Sequence, residues 1–150
     1  MHKKTIKIFY FFLITLLIFS CQKSPEPIAY GEDICENCKM TITENKFGSE
    51  LITNKAKILK FDSIECLADY SSKQDAEIIH SMWVTNLTEP SKLIEVDEAI
   101  FLHSDNLKSP MGLNLCAVRE KSSLEKIIAD YGGEEMSWNQ VLSYVKKEWD

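Results

Sequence analysis

Cys35, Cys38 and Met40 place two thiols and a thioether within the six residues of "CENCKM". A donor set of this kind is soft and selects Cu(I) over hard cations such as calcium or magnesium. Cu(I) accepts two or three ligands, so this loop would need little rearrangement to hold it. The same two thiols could serve a thiol-disulfide oxidoreductase, with Cys35 attacking and Cys38 resolving. That chemistry works best when the pair sits at a helix N-terminus, where the dipole lowers the thiol pKa. The residues after Cys38, "KMTIT", favour a strand, which leaves Lys39 alone to support a thiolate. A structural zinc site needs four tetrahedral nitrogen or sulfur donors, usually from a second closely spaced pair. The chain has no second pair, so Cys66 and Cys116 would complete such a site only if folding brought them together. Copper binding, thiol redox chemistry, zinc binding and a plain Cys35–Cys38 disulfide all stay open at this point.

The remaining methionines divide by context. Met82 beside Trp83 and Met136 before the last helix read as packing residues. Met111 lies in "KSPMG", between a proline and a glycine in a turn, where an unbranched apolar side chain has little reason to be. His80 reads as a surface residue at a helix end.

The elements that position these residues begin beyond an export signal. Lys3, Lys4 and Lys7 precede "IFYFFLITLLIF", an apolar run of about a dozen residues, short of the roughly 20 that span a bilayer. It ends at "LIFSC", which resembles the lipobox of bacterial lipoproteins, with Cys21 as the lipid-modified residue. The expected organisation is a signal peptide over 1–20 and a polar, proline-containing lipidated tether over 21–31. The mature protein is then membrane-anchored without crossing the bilayer.

Three lysines leave with residues 1–20, taking the formal net charge from −6 to about −9. So acidic a chain is repelled by phosphate backbones, and no basic patch with interleaved aromatics is present, so nucleic-acid partners are excluded. Cys35, Cys38, Cys66 and Cys116 would then sit in an oxidising compartment, where four cysteines allow three disulfide connectivities. A structural Cys66–Cys116 bridge is one reading, and the apolar surroundings of both residues favour the other, buried free thiols.

Periodicity predicts a meander over residues 40–61 from "MTITEN", "SELITN" and "AKILKF". A helix follows in "FDSIECLADYSSK", capped by Asp62 or Ser63, then a strand in "SMWVTNL" and a turn in "TEPSKL". "AIFLHS" and "LNLCAVRE" repeat the strand pair. "SSLEKIIADYGG" repeats the helix, with Ser122 or Ser123 as N-cap and Gly132 as its stop. "MSWNQVLSYVKKEW" carries Trp138, Val141, Leu142 and Val145 on one face and closes the chain as an amphipathic helix. The fold class is α+β with mainly antiparallel strands, built from a duplicated strand-strand-helix unit.

With these segments in place the chain resembles the NosL family of copper-binding lipoproteins that accompany nitrous oxide reductase. The resemblance rests on the lipoprotein signal, on Cys35, Cys38 and Met40, and on "KFDSIECLADY", "WVTNL", "SPMGLNLCAV" and "IIADYGG". It implies two similar ββαβ units, at 32–90 and 91–150. It implies Cu(I) binding outside the cytoplasm on the periplasmic side, through Cys35, Cys38, Met40 and Met111. It also implies handover of that copper to nitrous oxide reductase as the acceptor, and a carrier role rather than catalysis. His103 is a further candidate near the metal.

Overall fold

The computed structural model describes residues 23–149; the expected signal peptide and Cys21 lie outside them. Strands β1 (Ser49–Thr53) and β2 (Ile58–Phe61) form an antiparallel hairpin that leads into helix α1 (Ile64–Ser72). Strand β3 (Ile79–Thr85) returns along the other edge of β1, and the short β4 (Leu93–Glu95) extends the sheet to the order β2-β1-β3-β4. The second half repeats the sequence of elements. Strands β5 (Ile100–His103) and β6 (Leu115–Val118), helix α2 (Lys121–Tyr131) and strand β7 (Glu134–Met136) give a sheet of order β6-β5-β7. In both sheets the first strand of the unit is central, flanked by the second strand and by the strand after the helix. The ββαβ order is therefore present twice, with every strand pair antiparallel. Helix α3 (Trp138–Trp149) closes the chain, and an Asn86–Ala117 bridge links the two units.

Local chemistry accounts for most boundaries. The Ser63 side chain accepts from the Cys66 N–H and caps α1, satisfying a donor that has no partner within the helix. Gly132, at φ 68°, ends α2 in a conformation that a side chain would strain. Two local expectations are corrected. Helix α2 starts earlier than its serines, because the Glu120 carbonyl accepts from the Ser123 and Leu124 N–H groups; Glu120 is the N-cap and makes no side-chain cap bond. Residues 40–45 form no strand: Lys39 turns the chain at φ 64°, and Thr41 makes only an isolated bridge to Ile34.

The main core draws on both units. Leu51, Phe61, Ile64, Cys66, Leu67 and Ala68 of the first meet Phe101, Leu115 and Ala117 of the second, with Val141 and Val145 of α3 sealing the end. Trp138 and Leu142 pack against the same cluster, so the expected face of α3 is the one that docks. A smaller layer lies under α2, where Leu102, Cys116 and Val118 meet Leu124 and Ile127. The side-chain alternation of a strand explains the split. Leu115 and Ala117 point to the main core, whereas Cys116 and Val118 point to α2.

The segment before the thiol loop is also packed. Ile28 is buried and Tyr30 packs on the main core. The Glu26 N–H donates to Glu50 Oε2 at 3.1 Å, and Lys60 Nζ donates to the Pro27 carbonyl at 3.0 Å. Gly48 admits this strap, since a Cβ there would lie 2.7 Å from Ile28 Cδ1 and 2.8 Å from the Tyr30 hydroxyl.

Candidate metal centre

The thiol loop is closed upon itself and then fastened at two points. The Cys35 N–H donates to the Met40 carbonyl at 2.8 Å, and the Lys39 N–H donates to the Cys35 carbonyl at 3.0 Å. The Glu36 N–H donates to the Lys60 carbonyl of β2 at 2.8 Å. Asn37 Nδ2 reaches Asp69 Oδ2 of α1 at 3.0 Å. These bonds hold Cys35 fully buried and Cys38 half-buried, while Met40 stands 57% exposed at the outer rim.

Four ligand atoms converge beneath this loop. Those of Cys35, Cys38, Asp62 and Cys66 all lie within 4.8 Å of one another. Asp62 directly precedes the Ser63 cap and Cys66 occupies the first turn of α1, so the start of one helix supplies both and directs its positive end toward the sulfurs. The two thiols of the loop donate to different oxygens of Asp62, each at 3.4 Å. Cys35 is the thiol that ionises most readily. The hydrogen bond from Cys66 is the largest cause of its lowered pKa, and backbone N–H groups of Asp62 and Cys38 add to it against the effect of burial. Cys66 is raised, first because its proton is held by Cys35 and then by burial. Cys38 is raised chiefly by burial. Three thiols and a carboxylate cannot all carry charge in so small a volume, and a bound cation would take the place of the thiol protons.

Asp62 has no ligand role in the sequence reading, and Cys66 enters it only as a donor to a zinc site that folding would have to complete. They lie 24 to 31 positions beyond the loop, and folding alone brings them to it. Cys116 is buried in the layer under α2, with its pKa pushed up to about 12 by burial and by Glu65, and it does not join the cluster. All four cysteines among the described residues are free thiols.

Met111 is half-buried against the main core, the same apolar cluster that contains Cys35 and Cys66. Its turn is bound to α1: Ser109 Oγ donates to Glu65 Oε1, and the Leu115 N–H donates to the same oxygen at 3.4 Å. His103 Nε2 lies 3.2 Å from the Tyr144 hydroxyl and 3.7 Å from Asp105 Oδ1, and the four-residue cluster contains no histidine. His80 is exposed, but in β3 rather than at a helix end.

This ββαβ duplication has a match among known proteins. The NosL family model matches residues 28–145. The chain belongs to the NosL family. Its fold is that of a NosL from Shewanella denitrificans, described as a copper chaperone, whose crystal structure superposes with a TM-score of 0.69 at 22% identity. The superposition covers 79% of this chain and 95% of that one. No match is found among curated protein sequences. Within the NosL fold, Cys35, Cys38, Cys66 and Asp62 form a candidate site for a soft or borderline cation, and Cys38 is the one member of the four that is not buried.

Proposed function

We propose that this NosL-family protein is a Cu(I) carrier, held by lipid on Cys21 at the periplasmic face of a bacterial membrane, that delivers copper to nitrous oxide reductase as that enzyme's copper site is assembled. The observation that carries this reading is the convergence of three sulfurs on one buried point of a NosL fold. The proposed ligands are Cys35, Cys38, Met40 and Met111, joined by Cys66, whose thiol lies with those of Cys35 and Cys38. Copper is cargo here, and no bond in a substrate is made or broken.

Burial supports an order of exchange. Met40 is exposed, Cys38 half-buried, and Cys35 buried. An acceptor's ligands would therefore replace Met40 first, Cys38 next and Cys35 last. Loading releases thiol protons, and the Asp62 oxygens, each 3.4 Å from a thiol sulfur, stand where those protons leave. Three thiols and a carboxylate also suit tetrahedral Zn(II), and the presence of Asp62 in the cluster favours that second reading over one built on Cys116.

The deciding experiment is anaerobic titration of the reduced, detergent-solubilised protein against chromophoric chelators of each metal. The carrier reading expects about one Cu(I) held in preference to Zn(II). Tighter Zn(II) binding that depends on Cys66 and Asp62 would establish the zinc reading instead. Delivery is tested by mixing the Cu(I)-loaded protein with copper-free nitrous oxide reductase, separating the two and assaying copper in each.

A further inference from the structure

Glu65 is fully buried in the first turn of α1, a position where a carboxyl group is a costly way to fill space. Its Oε1 accepts from Ser109 Oγ and from the Leu115 N–H, while its Oε2 has no partner. An unsatisfied buried oxygen is costly, so an apolar residue would serve packing better. What the carboxyl group supplies is a hold on the chain 44 and 50 positions further on. Ser109 and Leu115 bracket the turn that carries Met111. The Ser109 hydroxyl also accepts from the Asn114 N–H at 2.9 Å, and the Ser109 carbonyl accepts from the Gly112 N–H at 3.2 Å. Gly112 and Asn114 complete the turn at φ 82° and 58°. The turn is thus closed on itself and fixed to the helix at the residue next to Cys66.

We propose that Glu65 is a positioning residue for the metal site: its carboxyl group clamps the 109–115 turn of the second unit to the start of α1 and so sets Met111 relative to the thiols of the first unit. This rests on the reading of Met111 as a ligand. Without the clamp, Met111 keeps its side chain but loses its register against the cluster.

The test is a double-mutant cycle on the full-length protein in detergent, read as Cu(I) affinity by competition titration, with thermal unfolding of the metal-free forms as control. Met111→Leu conserves volume and should lower Cu(I) affinity about ten-fold. Glu65→Leu should lower it by a similar factor in the parent, yet by less than about two-fold in the Met111→Leu background, because the same contact is already lost. Glu65→Gln, which keeps a carbonyl acceptor for Ser109 and Leu115, should stay within about three-fold of the parent. X-ray absorption of the loaded proteins should show one sulfur fewer at copper in both leucine variants. If Glu65→Leu fails to fold, Ser109→Ala replaces it in the same cycle with the same expectation. An unchanged affinity in Met111→Leu overturns the ligand reading and the clamp with it. A loss in Met111→Leu joined to an equal loss from Glu65→Leu in both backgrounds, or to no loss from Glu65→Leu in either, overturns the clamp alone.

Discussion

Cys35 Sγ and Asp62 Oδ1 lie 3.4 Å apart across 27 positions of sequence. The contact joins the thiol loop to the residue that precedes the α1 cap, so the loop and the helix start form one unit. In Asp62→Asn the side chain keeps one carbonyl acceptor and loses the charge that would offset a bound cation. Zn(II) affinity should fall about ten-fold or more, while Cu(I), which prefers sulfur, should lose less than about three-fold. Parallel competition titrations with both metals check this, and equal losses would show that Asp62 acts on the thiols rather than on the ion.

Cys66 and Cys116 should separate cleanly. Cys66→Ser removes a sulfur from the cluster, and about ten-fold of Cu(I) affinity should go with it. Cys116→Ser buries an unpaired hydroxyl beneath α2 and should cost on the order of 1–3 kcal/mol of stability. Its Cu(I) affinity should stay within about two-fold. Denaturant unfolding and titration of the two variants measure both effects, and metal loss in Cys116→Ser would bring that thiol into the site.

Cys21→Ala should release the protein from the membrane fraction or leave it unprocessed. Among the described residues no helix is long and apolar enough to cross a membrane, and the proposed anchor is a single lipidated residue. Fractionation with palmitate labelling reads the outcome. Continued labelling of the variant would show that another residue is modified.

Glu50 predicts a pH dependence of stability. It is fully buried under the strap, and burial pushes its carboxyl pKa up to about 7. Its Oε1 has no partner. In the unfolded chain the group titrates near 4.3. Below that value both states are protonated and the group has no effect. As pH rises toward 7 the unfolded state gives up the proton more readily, so stability falls, and above about 7 the loss is complete. Glu50→Gln lacks this titration. Its advantage over the parent should be near zero at pH 4 and grow to on the order of 3 kcal/mol by pH 8. Thermal melts across that range check the sign.

Much of this organisation is legible in local sequence. Ser63 before an apolar helix, Gly132 after one and the Val141–Val145 face each carry their own short-range cause, and each is found where periodicity places it. The missing strand at 40–45 shows the limit. β-Branched residues favour extension there, but the turn at Lys39 and the bridge to Ile34 absorb the backbone. Half of the four-residue cluster was readable as Cys-x-x-Cys; the other half belongs to a helix start that only tertiary packing brings up. Cys116 alternates with Leu115 and Ala117, and only the packed structure shows that those two take the main core and turn it toward α2.

The strap over β1 shortens the leash. Five positions separate Cys21 from Glu26, the first of the described residues that is hydrogen-bonded to the fold, and a chain of that length reaches at most about 17 Å. With a lipid at Cys21, the body of the protein would hover within roughly its own width of the bilayer. The thiol loop is part of that same body, beginning nine positions after Glu26, so copper would change hands close to the membrane surface. A partner would have to present its metal ligands low, close to the plane of the membrane, to be within range.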